Sequence, residues 1–447
     1  MTKTPVRQQN PVDRRKNFRE VSLGYSEDEA LAEARRCIEC GACIAGCPVG
    51  VDIPSFIRKI KDKDFEGACR IIKESNCLPS VCGRVCPQET QCEAKCVLGQ
   101  GDDPIAVGAL ERFAAQYDTK KGGLAACCGK SVAVVGSGPA GLTCAAELAK
   151  LGYRVTVFES LHKPGGVLQY GIPAFRLPRP VLMAEIDYVK SLGVEIKCNT
   201  LIGLTYDFRE LRSDFDAVFL ACGAGLPYFL GVEGESLNGV YSANEFLLRV
   251  NLMRADRFPE YDTPINIGSD VAVVGAGNVA MDAARCALRL GADNVSILYR
   301  RSEAEMPARD EEIEHAKQEG IDFRLLTNPV KLHGEDGWVK RIECVEMCLG
   351  EPDESGRCRP LPMEGSCFVL PAETVVIAIG QAPNPVLIKR VEGLETDKSG
   401  RIKVDENLST SLSNVFAGGD VASRDATVIS AMSQGNTAAE KIHEKLS

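Results

Sequence analysis

Two glycine-rich segments 139 residues apart, at Gly136 and Gly275, constrain this chain more than any other feature. Val132-Ala-Val-Val135 is a short apolar run, and Gly136-Ser-Gly138-Pro-Ala-Gly141 follows it. A helix predicted over 140–151 and a strand over 154–158 complete a βαβ unit. The pattern returns with Val271-Ala-Val-Val274, Gly275-Ala-Gly277-Asn-Val-Ala280, a helix to Leu290 and a strand over 295–299. In such a motif the first glycine permits the turn and the second lets backbone approach a pyrophosphate. The third, or a small alanine, lets helix and strand pack closely with the helix N-terminus facing the phosphates. Two such units predict an α/β protein that binds two dinucleotides.

The residues just past each unit separate the two ligands. Glu159 ends the second strand of the first unit, where a carboxylate accepts bonds from ribose hydroxyls. Gly165-Gly166-Val-Leu168 comes next, a pair of glycines able to pass near a flavin. Toward the C-terminus, Asn414-Val-Phe-Ala-Gly-Gly419-Asp420 presents a carboxylate at a strand tip, suited to a ribityl hydroxyl. The segment from Thr427 to Ala439 reads as a helix whose N-terminus can stabilise negative charge on reduced flavin. The first site is therefore read as FAD-binding: Gly136, Ser137, Gly138, Pro139, Ala140, Gly141, Glu159, Gly166, Leu168, Gly223, Gly419, Asp420 and Thr427, with Arg176 as a flavin-site cation. In the second unit no acid ends the second strand; Tyr299 is followed by Arg300-Arg301. Guanidinium groups there pair with a 2′-phosphate that a carboxylate would repel, which points to NADP(H). Its candidate contacts are Gly275, Gly277, Asn278, Val279, Ala280, Arg300, Arg301 and Gly380. Glu303, Glu305, Glu311 and Glu312 read as solvated helix charge.

Ten of the twenty cysteines fall between Cys37 and Cys96. Crowding of this kind in a chain of 447 residues that shows no signal peptide indicates metal rather than a disulfide scaffold, in a reducing cytoplasm. Cys37-Ile-Glu-Cys40-Gly-Ala-Cys43-Ile-Ala-Gly-Cys47-Pro48 has the ferredoxin-type spacing, in which the fourth cysteine serves a different cluster from the first three. Cys82, Cys86, Cys92 and Cys96 supply further thiolates, so spacing alone proposes eight ligands for two cubane clusters. Cys344, Cys348, Cys358 and Cys367 read as scattered thiols on strands, and the four histidines form no cluster. Net charge of −10 gives nucleic-acid binding no electrostatic support. The longest apolar region, 131–158, is broken by Glu147, Lys150 and Arg154, so no membrane span is expected.

Taken together, the stretches Asn17–Tyr25, the cysteine run, Gly165–Pro173, Arg300–Pro307 and Val415–Asp420 resemble two related families. One is the NADPH-dependent glutamate synthase small subunit. The other is the large subunit of the NADH-dependent reduced ferredoxin:NADP oxidoreductase (Nfn) family; the N-terminal region of dihydropyrimidine dehydrogenase is similar too. The resemblance implies a glutathione-reductase-like flavoprotein with two dinucleotide-binding domains, preceded by a helical domain carrying two [4Fe-4S] clusters. It implies one cluster on Cys37, Cys40, Cys43 and Cys96, and another on Cys47, Cys86, Cys92 and Glu111, with Cys82 as the alternative to Glu111. Disulfide reductases of this fold carry a redox cysteine pair soon after the first unit, and no cysteine lies here between Cys144 and Cys198.

The expected domains are 1–125 (helical, iron–sulfur), 126–255 (FAD, first part), 256–372 (NADPH) and 373–447 (FAD, second part). A polar, extended segment is predicted over 1–25, a capping box at Ser26 and Glu29, and a glycine-rich break at Lys120–Leu124. The expected activity is electron passage between NADP(H), FAD and the clusters to a second redox subunit. That partner is a flavin/iron–sulfur subunit, with ferredoxin as acceptor and electron bifurcation in view, or the glutamate synthase large subunit. Thr2 follows Met1, so an amidotransferase N-terminal cysteine is not expected; glutamate synthesis would fall to another polypeptide. A passive electron-transfer scaffold is the alternative of another class.

Overall fold

Several helices in the first part of the chain begin where side chains hold their free N–H groups. Ser26 and Glu29 form the expected capping box on α1 (Glu27–Arg36). Asp52 and Asp64 cap α2 (Ile53–Lys61) and α3 (Phe65–Lys73). α4 (Pro79–Val85) and α5 (Val107–Ala114) complete the helical domain. Leu31, Phe56, Ile57, Ile60, Ile72, Leu110 and Phe113 form its core, together with Cys43 and Cys92. The computed structural model describes residues 2–118, 123–353 and 356–447; Met1 and the 120–122 part of the expected break lie outside them.

The segment before α1 is not simply extended. Arg7–Gln8 pairs antiparallel with Ser22–Gly24, and Pro11–Arg14 is helical. Arg14 is fully buried against Glu319, far along the chain, at 3.0 Å. A polar sequence hides such an anchor because its partner is supplied by tertiary folding.

The first nucleotide unit runs β1 (Ser131–Val135), α6 (Pro139–Lys150), β2 (Arg154–Phe158), β3 (Glu195–Lys197) and β4 (Ala217–Leu220). The second contains β5 (Val240–Ser242), β6 (Asp270–Val274), α7 (Asn278–Arg289), β7 (Asn294–Leu298), α8 (Asp310–Gln318), β8 (Asp322–Arg324) and β9 (Thr374–Ile377). β10 (Val415–Ala417) and α9 (Val428–Leu446) return to the first unit. The sheets have the orders β10-β4-β1-β2-β3 and β8-β7-β6-β9-β5, parallel throughout. In both, the strand before the glycine motif lies centrally and the strand order reverses beside it. A crevice therefore opens at the strand ends, between β1 and β4 and between β6 and β9.

Sheet membership moves two expected boundaries. β5 and β9 belong to the second sheet, although 126–255 and 373–447 are the spans expected for the FAD domain. The true crossing is a short antiparallel pair, Ala224–Pro227 with Gln381–Pro383. Pairing across more than a hundred residues leaves no local trace in a three-residue strand. An antiparallel insertion, Thr327–Glu335, Trp338–Pro352, Cys358–Pro362 and Phe368–Pro371, projects from the second unit. The helical domain does not fold as a separate bead: Leu78, Val81, Cys82 and Val85 share one core with α6 and α9.

Candidate functional site

The two glycine motifs are shaped by the same close approach. A Cβ on Gly136 would stand 2.4 Å from the Ala221 carbonyl oxygen, and one on Gly275 2.3 Å from that of Ala378. Both carbonyls lie across the crevice, after β4 and β9, so the turn can form only if position one has no side chain. Gly138 and Gly277 face the opposite situation: a Cβ on Gly138 meets nothing within 4 Å, and one on Gly277 only Pro307 at 3.8 Å. That open space leaves room for a pyrophosphate to approach backbone. Gly141 and Ala280 are packed, as close helix–strand contact requires.

The remaining flavin candidates gather at the ends of β1, β2, β4 and β10. Glu159 is buried and accepts from the Ser137 N–H at 3.1 Å and the Leu161 N–H at 2.8 Å, which fixes its carboxylate beside the glycine turn. Ser137 Oγ donates to Glu159 and accepts from the Gly165 N–H at 2.9 Å, drawing the Gly165–Gly166 pair over the motif. A Cβ on Gly166 would press to 2.8 Å from Gly138 Cα. Gly419 lies on α6, its N–H donating to Gln434 at 2.7 Å, and burial pushes the adjacent Asp420 carboxyl up. Gly223, after β4, has positive φ and open space. Pro139 and Ala140 start α6, and Thr427 caps α9. The Leu168 side chain is wholly buried in the core, so only its backbone borders the loop. Tyr170, inside the Gly165–Pro173 stretch but not among the expected contacts, is brought to this site by the fold: burial raises its phenol to about 12, with the charges of Asp420 and Glu159 adding to that.

Arg176 is a correction. Its guanidinium does not serve the first site; it pairs with Asp282 at 2.7 Å and Glu312 at 3.0 Å, both in the second unit. Glu312 is accordingly buried between Arg176 and Arg285 instead of solvated.

At the second site Arg300 and Arg301 diverge. Arg301 is 5% exposed, its Nε donating to the Cys358 carbonyl at 2.8 Å and its Nη2 to Asp353 at 2.6 Å. The insertion thus occupies the Arg301 guanidinium, while Arg300 is exposed at the strand end. Asn278 Oδ1 accepts from the Arg309 N–H at 3.1 Å, Val279 is exposed, and Gly380, with positive φ, stands against the Tyr228 ring.

The cysteines of the helical domain ring two cavities. Cys37, Cys40, Cys43 and Cys96 line one. Cys47, Cys82, Cys86, Cys92 and Glu111 line the other. Each space is lined by several thiols, the soft donors that an iron–sulfur cluster takes. The donor chemistry agrees. Burial pushes the Cys43 thiol up to about 11 and the Cys47 and Cys92 thiols up as well. Burial likewise takes the Glu111 carboxyl to about 8, opposed only by its bond from Asn76. Around Cys92 the charges of Glu93, Glu111, Cys86 and Cys47 all act against ionisation. A bound cluster's iron would stabilise the ionised form of such buried ligands.

Glu111 and Cys82 both reach the second cavity, through the same residue. Asn76 Nδ2 donates to Glu111 at 2.7 Å, and Cys82 Sγ lies 3.7 Å from Asn76 Oδ1 and 3.4 Å from Met432 Sδ. Asn76 and Gln88, also on this wall, carry no motif that would have disclosed them. Cys127 and Cys128 are exposed, and Cys344, Cys348, Cys358 and Cys367 are scattered over the insertion.

Comparison with known proteins places these features. The family described as pyridine nucleotide-disulphide oxidoreductase matches residues 130–435, and dihydropyrimidine dehydrogenase domain II, 4Fe-4S cluster, matches 14–123. The chain is 43% identical over 90% of its length to the NADP(+)-dependent formate dehydrogenase subunit beta of Moorella thermoacetica, of which it spans 60%. It is 36% identical over 97% of its length to the glutamate synthase [NADPH] small chain of Halomonas elongata, of which it spans 94%. In fold it is similar to Mycobacterium tuberculosis FprA in complex with NADPH, with a TM-score of 0.59 at 22% identity, covering 71% of this chain and 84% of that one. No helix among the described residues is long and apolar enough to cross a membrane.

Proposed function

We propose, from the premise that this chain belongs to the pyridine nucleotide-disulphide oxidoreductase family, that it carries electrons between NADP(H) and a separate redox subunit by way of FAD and two [4Fe-4S] clusters. The chain is an NADPH-dependent FAD and iron–sulfur oxidoreductase subunit; the number of clusters, their ligands and the partner are the proposal. When bound, FAD takes an electron pair as hydride from NADPH and exchanges electrons singly with iron–sulfur clusters.

The chain's own residues orient and insulate. Glu159 and Asp420 hold the ribose and ribityl hydroxyls, and the N-terminus of α9 favours negative charge beside the ring system. Arg300 pairs with the 2′-phosphate. Cys37, Cys40, Cys43 and Cys96 hold one cluster; Cys47, Cys86, Cys92 and Glu111 hold the other. The observation that carries the reading is Ile429. It lines the second thiolate cavity and sits in the first turn of α9, directly after the Gly419–Asp420 loop and Thr427. A cluster site and a flavin loop that share one helical turn support electron exchange between them.

The partner we favour is an Nfn-type flavin/iron–sulfur subunit with ferredoxin as the outer carrier. Supply of electrons to a glutamate synthase large subunit is the second reading, favoured by the near-complete span of the Halomonas small chain. Cysteines without disulfides suit a reducing cytoplasm for either. The protein purified anaerobically is expected to contain one FAD and about eight irons, the total for two cubanes, and NADPH should bleach its flavin faster than NADH. Four irons, or zinc in their place, would remove the two-cluster assignment. The subunit that copurifies from the native source decides between the partners.

A further inference from the structure

Arg309 joins the loop beside the second glycine motif to the wall of the second thiolate cavity. Its N–H donates to Asn278 Oδ1 at 3.1 Å, at the start of α7. Two residues earlier, Pro307 lies 3.8 Å from where a Gly277 Cβ would stand, so the 302–309 loop borders the face a pyrophosphate approaches. The guanidinium points the other way, into the helical domain. Nη2 donates to Gln88 Oε1 at 2.9 Å, Nη1 to the Arg84 carbonyl at 3.2 Å, and Nε pairs with Glu89 at 3.2 Å. Glu311 also faces Nη2, at 3.2 Å.

Those partners sit among the proposed cluster ligands. Gln88 lines the second cavity between Cys86 and Cys92, and its Nε2 donates to the Cys82 carbonyl at 3.2 Å. It also packs on Gly108 of α5, where a Cβ would stand 2.2 Å from Nε2. Glu111 follows on the same helix. Arg309 is buried, and its fork is occupied on every side, so the linkage has little slack.

We propose that Arg309 is a positioning residue that couples occupancy of the nicotinamide-nucleotide site to the iron–sulfur centre held by Cys47, Cys86, Cys92 and Glu111. The inference rests on the cofactor assignment above. A pyrophosphate settling against Gly277 and Pro307 shifts the loop that Arg309 anchors. Arg309 transmits that shift to Gln88 and the Cys86–Cys92 segment, whose hydrogen bonds and packing tune the thiolates. Coupling between binding sites is reciprocal: if nucleotide alters the tendency of the cluster to take an electron, reduction alters nucleotide affinity by the same factor. A factor of about five or more is expected, and tenfold corresponds to about 59 mV for one electron.

The test is an anaerobic redox titration of the reduced-cluster EPR signals with and without 2′-phospho-ADP-ribose. This probe has the pyrophosphate and 2′-phosphate of NADP but no nicotinamide, so it accepts no hydride. In the wild type one of the two signals should shift in midpoint potential, and the affinity of the probe should change by the matching factor on reduction. Arg309→Lys keeps a charge but loses the fork; Gln88→Met keeps bulk but loses the amide bonds. Both should abolish the shift while retaining iron, flavin and probe binding. If Arg309→Lys loses iron, Gln88→Met still decides. No shift in the wild type, or an undiminished shift in Gln88→Met, would overturn the proposal. A purely structural role would weaken binding equally in both redox states and also count against it. Failure of the underlying cofactor reading would be seen separately, as absent cluster signals or no probe binding.

Discussion

Arg300 and Arg301 are adjacent in sequence and chemically identical, yet the structure gives them different surroundings. A hydrogen bond to a charged group contributes roughly 1.5–3 kcal/mol. Losing Arg300, the exposed guanidinium, should therefore weaken NADPH about ten- to a hundredfold. Arg301 is held by Asp353 and Cys358, so its removal loosens the insertion from the strand end and should lower reduction by both nucleotides. Anaerobic stopped-flow bleaching of the flavin by NADPH and NADH, in Arg300→Ala and Arg301→Ala, checks this. An NADPH-selective loss in Arg301→Ala with none in Arg300→Ala would reverse the roles. The pair itself was legible in the sequence, because the position after the second strand is fixed by the motif. The division between the two was not, because Asp353 lies more than fifty residues away.

At the scale of elements, α5 decides what Glu111 is. Its buried face holds Leu110, Phe113 and Ala114, and Glu111 turns into the cavity at 8% exposure instead of lying on the surface. α4 brings Cys82 to the same cavity, but that sulfur packs against Met432 and Asn76. Glu111→Ala should change or abolish one cluster's EPR signal, and Cys82→Ala should leave both signals in place; the opposite pattern would make Cys82 the ligand. The four-cysteine run at 37–47 was readable because its ligands are close in sequence. The second group was only partly so, since its members come from separate elements and one proposed ligand is an ordinary helix glutamate.

At the scale of the molecule, a buried charge network ties the N-terminal segment to the second unit. Arg14, Arg285 and Arg289 surround Glu319, and His315 lies buried among them with neither ring nitrogen hydrogen-bonded. Burial lowers the His315 imidazole from 6.5 to about 3. In the unfolded chain it takes up a proton below about pH 6.5; in the folded protein it stays neutral to about 3. Its contribution to stability is thus full above about pH 6.5 and falls as pH drops, by about 1.4 kcal/mol per pH unit for one proton. Burial opposes ionisation of Glu319, yet Arg289 and Arg285 outweigh it and hold the carboxyl at about 2, so its loss has the same sign but begins only below the ordinary range near 4.5. Melting temperatures between pH 6.5 and 5 should fall in the wild type and be flatter in His315→Leu. Parallel slopes would place the acid sensitivity elsewhere.

The sequence by itself determined whatever local spacing encodes: two βαβ units, the ferredoxin-type run, the Ser26 cap, the absence of an acid after β7. Each depends on residues within one turn or one motif, where covalent geometry fixes the relation between them. Tertiary structure decided the rest. It assigned β5 and β9 to the second sheet and occupied Arg176 and Arg301 with distant carboxylates. It gathered Glu111, Asn76 and Gln88 around one cavity, and it turned Arg14 from a polar tail residue into a buried anchor. Those outcomes depend on which groups meet once the chain has closed on itself, and a buried charge acquires its role only from the partner that meets it there.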